Sequence, residues 1–379
     1  MRFLFFFVHP SKYHLYRITI NELIRRGHEV DIVITSKDVL EDLVKKEGWK
    51  YTNIFPQGRK IKGIPTYLGA GINLIRSIWR LFKFTSRKKY NLFVTDDLLT
   101  IVGRLRGVPT IFFADDDITA VPESFILQKT GTYTLAPAIT NFGKYNNKKI
   151  GFEGFKASAY LHPNHFRIDE SVLEKYGLKD GLKNQTYFII RLVSLTATHD
   201  VGMTGITNDD CRRLISMLEK KGRVIINSER PVLEEFEKYR LKIVPKDITH
   251  ILAGASLFIG DSQTMSSEAG MLGVPYIRFN DFVGKIGYLN DMELNYKLGY
   301  GILTKDREKL FEKVEELMNI PDLKTEWKRR MDNMLDKTID LSDLQIWLYE
   351  NYPKSIEQWK ANPAILKSFG KYDTKAEIQ

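Results

Sequence analysis

Short apolar runs alternate with stretches of helical periodicity along this chain. Arg2 to Val8 reads as a buried strand, Tyr13 to Arg26 as a helix closed by Gly27, and Glu29 to Thr35 as a second strand. Trp49 to Ile54, Leu92 to Val94 and Thr110 to Phe113 read as further strands with helices between them. Such alternation predicts a parallel sheet with helices on both faces. A loop-rich stretch follows, from Gly151 to about Asp180, and then the pattern restarts. Thr186 to Val193 is expected as a strand, Asp209 to Lys221 as a helix and Arg223 to Ile226 as a strand. Ser256 to Ile259, Tyr276 to Phe279 and Gly301 to Leu303 complete a second sheet.

The expected class is therefore α/β, with two Rossmann-like doubly wound domains facing each other across a cleft. Residues 1–165 form the first domain and 166–345 the second. The last segment, 346–379, carries Trp347, Tyr349, Tyr352 and Trp359 and is expected to be helical and to return to the first domain. A length of 379 residues favours two cores over one.

With 43% apolar and 27% charged residues the make-up is that of a soluble globular protein, and no run of about 18 apolar residues suggests a membrane span. Phe3 to Val8 is too short for the apolar core of a signal peptide. A cytoplasmic location is expected, and the sequon Asn184-Gln185-Thr186 is then fortuitous. The single cysteine, Cys211, excludes an internal disulfide and a zinc cluster built on several thiolates.

The net charge of +10 predicts a basic surface suited to nucleic acid, anionic lipid or a phosphorylated substrate. No nucleic-acid module is recognisable, so no nucleic acid is expected as partner. Lys and Arg are spread along the chain, but between residues 57 and 90 they interleave with large apolar residues. Arg59, Lys60, Lys62, Arg76, Arg80, Lys83, Arg87, Lys88 and Lys89 alternate there with Leu74, Ile75, Ile78, Trp79, Leu81, Phe82 and Phe84. Such a basic amphipathic helix either lies on a membrane or covers the sheet of a Rossmann-like domain. Covering the sheet is the expectation, and peripheral contact with the inner face of an anionic membrane is the alternative.

The stretch FIGDSQTMSSEAGMLGVPYIRF, residues 258–279, has the form strand, polar loop, small-residue helix, strand. Its loop falls at the carboxyl end of a parallel strand, where open α/β sheets bind ligands. Free N–H groups at the helix start, beside Ser262 and Thr264, suit a phosphate, and Glu268 suits a ribose diol. The plain alternative is a capped helix that only packs.

Gly260-Asp261-Ser262, Glu268 and Gly273-Val274-Pro275 resemble the nucleotide-diphosphate site of UDP-N-acetylglucosamine 2-epimerases and related GT-B glycosyltransferases. There an Asp-Ser-Gly-Gly loop precedes a Glu, and Gln263 and Thr264 stand here in place of the two glycines. The chain as a whole resembles the DUF354 family of GT-B-like proteins. The marks of that likeness are His9-Pro10, Gly27-His28-Glu29-Val30, Tyr160-Leu161-His162-Pro163-Asn164, Thr198-His199-Asp200 and the 260–275 loop. The resemblance implies a GT-B fold, and it implies activity much less, because one fold hosts many functions.

Two aspartate groups fall at strand ends of the first domain: Thr95-Asp96-Asp97 and Asp115-Asp116-Asp117. Neighbouring carboxylates there raise one another's pKa and can act as general acid and base. The resemblance to the epimerases makes Asp97 and Asp115 the nearest matches to their catalytic acids. The competing reading is helix capping and solvated loop acids. Arg191 and Thr196-Ala197-Thr198-His199-Asp200 form a third group, at the end of the first strand of the second domain. His199 lies near the position of a functional histidine of the epimerases, and Arg191 or His199 is suited to neutralising leaving-group phosphate. His9 and His14 follow the first strand, where either suits deprotonation of a sugar hydroxyl, whereas His28 and His250 read as structural.

The expected function is a GT-B glycosyltransferase of surface-polysaccharide or glycoconjugate assembly. Its donor is a nucleotide-diphosphate sugar, its acceptor a glycan or a lipid-linked glycan, and no cofactor or essential metal is expected. Arg191, Thr198, Gly260, Asp261, Ser262, Gln263, Thr264 and Glu268 would bind the donor, and His9, His14, Asp96, Asp97, Asp115 and His199 would carry the chemistry. The alternatives are a non-hydrolysing UDP-sugar 2-epimerase and a non-catalytic nucleotide-sugar or glycan-binding protein.

Overall fold

The computed structural model describes residues 1–36, 39–58, 66–179, 186–194 and 204–370. The described residues divide into two compact units, one of Met1–Tyr160 with residues 338–370, the other of Leu161–Lys337.

The first unit holds seven strands: β1 (Arg2–Phe7), β2 (Glu29–Ile34), β3 (Tyr51–Asn53), β4 (Leu92–Thr95), β5 (Thr110–Phe113), β6 (Tyr133–Pro137) and β7 (Lys149–Phe152). They pair in the order β3-β2-β1-β4-β5-β6-β7, all parallel. The order reverses between β1 and β4, which makes their carboxyl ends the topological switch point where ligands bind in such sheets. Phe3, Leu4, Phe5, Phe6 and Phe7 are all fully buried, as a strand covered on both faces requires. β6 and β7 carry no clear apolar alternation and were not expected, and the stretch read as loop from Gly151 begins inside β7.

The helix Leu341–Glu350 packs along the helix Pro10–Arg25 in this unit. Thr19 Oγ1 donates to Gln345 Oε1 at 2.7 Å, and the Tyr349 ring meets Phe5 edge-on at 6.1 Å. Asp340 caps the returning helix by accepting from the Ser342 N–H at 3.0 Å.

The helix Thr66–Thr85 departs in part from expectation. Its buried row is Ser77, Leu81 and Thr85, whereas Ile75 is 69% and Trp79 60% exposed. The apolar stripe was expected to cover the sheet; Ile78, Leu81 and Phe84 do so, whereas Leu74, Ile75, Trp79 and Phe82 are exposed.

The second unit holds β8 (Tyr187–Leu192), β9 (Arg223–Ser228), β10 (Leu257–Gly260), β11 (Tyr276–Phe279) and β12 (Gly299–Ile302), in the order β12-β11-β10-β8-β9 and again all parallel. Its switch point lies between β8 and β10. Gly260 is required there, because a Cβ at that position would come within 2.8 Å of Arg191 Cβ on the neighbouring strand. Trp327, fully buried, anchors the helix Leu323–Leu335 by donating from Nε1 to the Leu298 carbonyl at 2.7 Å.

Candidate functional site

In the first unit four polar side chains, one from a helix start and three from loops, converge near the switch point. Lys12 sits in the first turn of the helix after β1, Asp96 follows β4, Asp115 follows β5 and Lys156 follows β7. Lys156 Nζ lies 2.7 Å from Asp115 Oδ2, and Lys12 Nζ lies 3.5 Å from Oδ1 and 4.9 Å above the Phe113 ring. Asp115 is buried. Burial pushes its carboxyl up, but Lys156 and Lys12 more than offset this and hold it well below the usual carboxylate range.

Asp96 is placed differently. Its Oδ1 is enclosed with no hydrogen-bond partner among the described residues. Burial, against the opposing pull of Lys12, pushes its carboxyl up to about 6. Asp97 has turned to the backbone: its N–H donates to Thr95 Oγ1 at 3.0 Å, and its Oδ1 accepts from the Leu98 N–H at 2.6 Å. A cavity of about 180 Å³, lined by Lys12, Asp96, Phe113, Asp115, Asp116 and Glu123 among others, opens on this cluster. The cluster thus presents one carboxyl poised near neutrality, one locked in its ionised form, and an ammonium bridging the two environments.

The histidines take quieter positions. His9 is the N-cap of the helix Pro10–Arg25, with Nδ1 accepting from the Ser11 N–H at 3.2 Å. His14 packs between Tyr13 and Tyr160, with ring centroids 5.0 and 5.2 Å away, and burial pushes its imidazole down to about 4. His28 Nε2 meets Glu350 Oε1 at 3.0 Å, and His250 Nδ1 accepts from the Asp169 N–H at 3.0 Å while stacking on Phe166. Lys12 and Lys156 were absent from the sequence-based candidates, since a lone lysine normally signals solvent. The signal available was that Lys12 falls two residues after Pro10, in the turn that follows a buried strand.

In the second unit Ser262 is the N-cap of the helix Gln263–Met271, its Oγ accepting from the Met265 N–H at 3.3 Å. The first N–H groups of the helix lack intrahelical acceptors, as at any helix start. Ser262, Gln263 and Thr264 are half-buried, and Glu268 is buried further along the same helix. Asp261 ties the switch point together. Its Oδ1 accepts from the Val193 N–H at 2.8 Å, and its carbonyl accepts from Asn280 Nδ2 at 3.0 Å. Burial pushes the Asp261 carboxyl up to about 6, opposed by the Val193 N–H, Arg230 and Arg191. Gly205 lies against this carboxyl, where a Cβ would approach Oδ2 within 2.6 Å.

Arg191 reaches toward β9, pairing with Glu229 and hydrogen-bonding Asn227. Thr198 and His199 lie outside the described residues. The segment that resumes at Thr204 is pinned beside β11 and β12, where the Thr204 N–H and Oγ1 each donate to Asp281 Oδ2 at 2.8 Å. The helix start can hold an anion, and Arg230 and Arg191 act on the neighbouring Asp261, Arg191 with its charge already paired by Glu229.

Solved structures with the same architecture include the spinosyn forosaminyltransferase SpnP, with a TM-score of 0.62 at 14% identity over 96% of this chain and 100% of that one. S. aureus MnaA, solved with UDP, has a TM-score of 0.64 at 13% identity over 93% and 98% of the two chains. UDP-GlcNAc 2-epimerase from Neisseria meningitidis, solved bound to UDP-GlcNAc, has a TM-score of 0.55 at 12% identity over 88% and 99%. The fold is GT-B. No protein-family model matches the chain, and no curated protein matches it. At these identities the likeness establishes the GT-B fold and leaves the chemistry to be argued from the residues.

Proposed function

We propose that this GT-B protein is a glycosyltransferase that uses a nucleotide-diphosphate sugar as donor, with a glycan or lipid-linked glycan as acceptor, in surface-polysaccharide or glycoconjugate assembly. The observation that carries the reading is Asp96. A carboxyl pushed up to about 6 is ionised at neutral pH yet basic enough to take a proton, which is the match general-base catalysis asks for. Asp96 accepts the proton of an acceptor hydroxyl as its oxygen bonds to the anomeric carbon. The bond from that carbon to the donor phosphate breaks, and the nucleoside diphosphate leaves with the electron pair. Ser262, the free N–H groups after it and Thr264 bind the diphosphate, and Glu268 binds the ribose. Lys12 holds Asp96 ionised, and Asp115 with Lys156 fixes Lys12.

A second reading is favoured by one feature, the convergence of Asp96 and Asp115 on one cavity. A UDP-sugar 2-epimerase needs both an acid and a base. Asp115, locked between two ammonium groups, is a poor proton donor near neutrality, which places this reading second.

The test incubates the protein with UDP-, GDP-, CMP- and dTDP-sugars without acceptor and follows binding and turnover by NMR. Binding of one donor with only slow hydrolysis, lost in Glu268→Ala, supports the transferase. A C2 epimer that disappears in Asp96→Asn replaces it with the epimerase. Binding to none of them overturns both.

A further inference from the structure

The helix Thr66–Thr85 carries large apolar residues on two sides: Ile78, Leu81 and Phe84 pack on the unit's core, and a second row faces away from it. On the side toward the unit's core it buries Ser77, Leu81 and Thr85, and the two hydroxyls are satisfied within the helix. Ser77 Oγ donates to the Asn73 carbonyl at 2.7 Å and Thr85 Oγ1 to the Leu81 carbonyl at 2.9 Å. On the opposite side Ile72, Ile75, Trp79 and Phe82 recur at spacings of three and four, so they form one ridge. Their exposures are 40, 69, 60 and 41%. The helix Leu99–Arg106 continues the patch: Arg106 lies over the Phe82 ring at 5.6 Å, and the adjoining Leu105 is 65% exposed. Isolated exposed apolar residues need no explanation, but an aligned ridge of large ones does.

Charge identifies what covers it. From Gly48 to Thr95 the sequence holds ten lysines and arginines and no aspartate or glutamate, so the whole net charge of +10 resides in this stretch. Elsewhere lysine and arginine are spread along the chain and balance the acids. Lys83 flanks the ridge, with Nζ 5.2 Å above the Trp79 ring, and Arg87 follows one turn later. Lys83, Arg87 and Lys89 are exposed and make no ion pair among the described residues. A second copy of the chain would bring the same positive charge against this face. An anionic bilayer supplies both an apolar layer for the ridge and negative headgroups for its flank, and tryptophan favours that interface.

We propose that the outer face of the helix Thr66–Thr85 is a docking surface for an anionic lipid bilayer. Ile72, Ile75, Trp79 and Phe82 enter the headgroup boundary while Lys83, Arg87 and Lys89 meet lipid phosphates. The proposal is independent of the chemistry assigned to the first unit's cluster.

The test is sedimentation of the full-length protein with vesicles of phosphatidylcholine, alone or mixed with phosphatidylglycerol. The expected result is binding to the mixed vesicles that weakens with salt, and little binding to phosphatidylcholine alone. Ile75→Asn with Trp79→Gln, both at exposed positions, should lower partition roughly tenfold with unchanged circular dichroism. Lys83→Gln, Arg87→Gln and Lys89→Gln should each lower it about fivefold. No binding to mixed vesicles, or binding that these substitutions leave intact, would overturn the proposal. So would a concentration-dependent dimer, without vesicle binding, that Trp79→Gln dissociates, since that assigns the face to a second copy.

Discussion

Lys156 Nζ and Asp115 Oδ2 are 2.7 Å apart, and both side chains are nearly closed off from water. Asp115 faces Lys12 on its other oxygen, so one buried carboxylate serves two ammonium groups drawn from opposite ends of the unit's sequence. Removing Lys156 leaves the buried Asp115 carboxylate with Lys12 alone at 3.5 Å and strips its Oδ2 of a charged hydrogen bond, which costs more than the pair contributes. Lys156→Met should lower stability to urea by about 3 kcal/mol. In the double variant with Asp115→Asn the loss should fall short of the sum of the single losses by about 2 kcal/mol. Additive losses would show that the contact does not couple the two residues.

The aspartate at 96 should reveal itself through pH. Its folded pKa, about 6, lies above its unfolded value, so the folded state holds the proton more tightly. The resulting stability is complete below the unfolded pKa and is lost as pH rises through 6. Asp96→Asn should therefore gain up to about 3 kcal/mol relative to the parent at pH 8 and little at pH 3.5. If Asp96 is the base, kcat/KM for sugar transfer falls below pH 6 in the parent, and the variant loses most of its rate. Asp261 is also pushed up to about 6, so a limb that survives in Asp96→Asn would have to be assigned there.

Much of the fold could be read from the chain because burial on both faces leaves a plain signature. The run Phe3 to Val8 fits only a central strand, and it forms one. β6 and β7 were missed because Pro137 and Gly151 interrupt short apolar runs, although Thr134 to Pro137 of β6 are all buried and β7 buries one face. The helix Thr66–Thr85 shows a deeper limit. Periodicity finds the apolar stripe, but Ser77, Leu81 and Thr85 recur at the same spacing, and nothing local decides which row meets the sheet. The aspartates were legible because strand ends mark ligand sites. Lys12 and Lys156 were not, since only the tertiary fold makes a lysine buried. In the second unit, Ser262 as a cap was one of two readings at the outset, and capping leaves its loop available to an anion.

His14 supplies a pH dependence of opposite sign. Burial between Tyr13 and Tyr160 depresses its pKa to about 4, so the folded state excludes a proton that the unfolded state accepts. Stability is then full above the unfolded value near 6.5 and declines as pH falls toward 4. His14→Phe keeps the aromatic packing and removes the titration. The variant should lose less stability than the parent between pH 7 and pH 4.5, by up to about 3 kcal/mol in chemical unfolding at the two values. Equal losses would mean that the imidazole is reached by water.

The two readings of Ser262, cap or phosphate ligand, can be separated by one substitution. Aspartate caps a helix as well as serine does, and its charge suits the positive end of the helix dipole. Ser262→Asp should therefore hold the melting temperature of the parent, whereas Ser262→Ala, which removes the acceptor for the Met265 N–H, should cost about 1 kcal/mol. Toward a nucleoside diphosphate the order reverses. The alanine variant keeps the free N–H groups of the helix start and should weaken UDP binding about tenfold, the loss of a charged hydrogen bond. The aspartate variant sets a carboxylate against the diphosphate and should abolish binding in calorimetry. If Ser262→Asp binds UDP as the parent does, the diphosphate does not sit at this helix start, and the assignment of the 260–268 loop as the donor site fails with it.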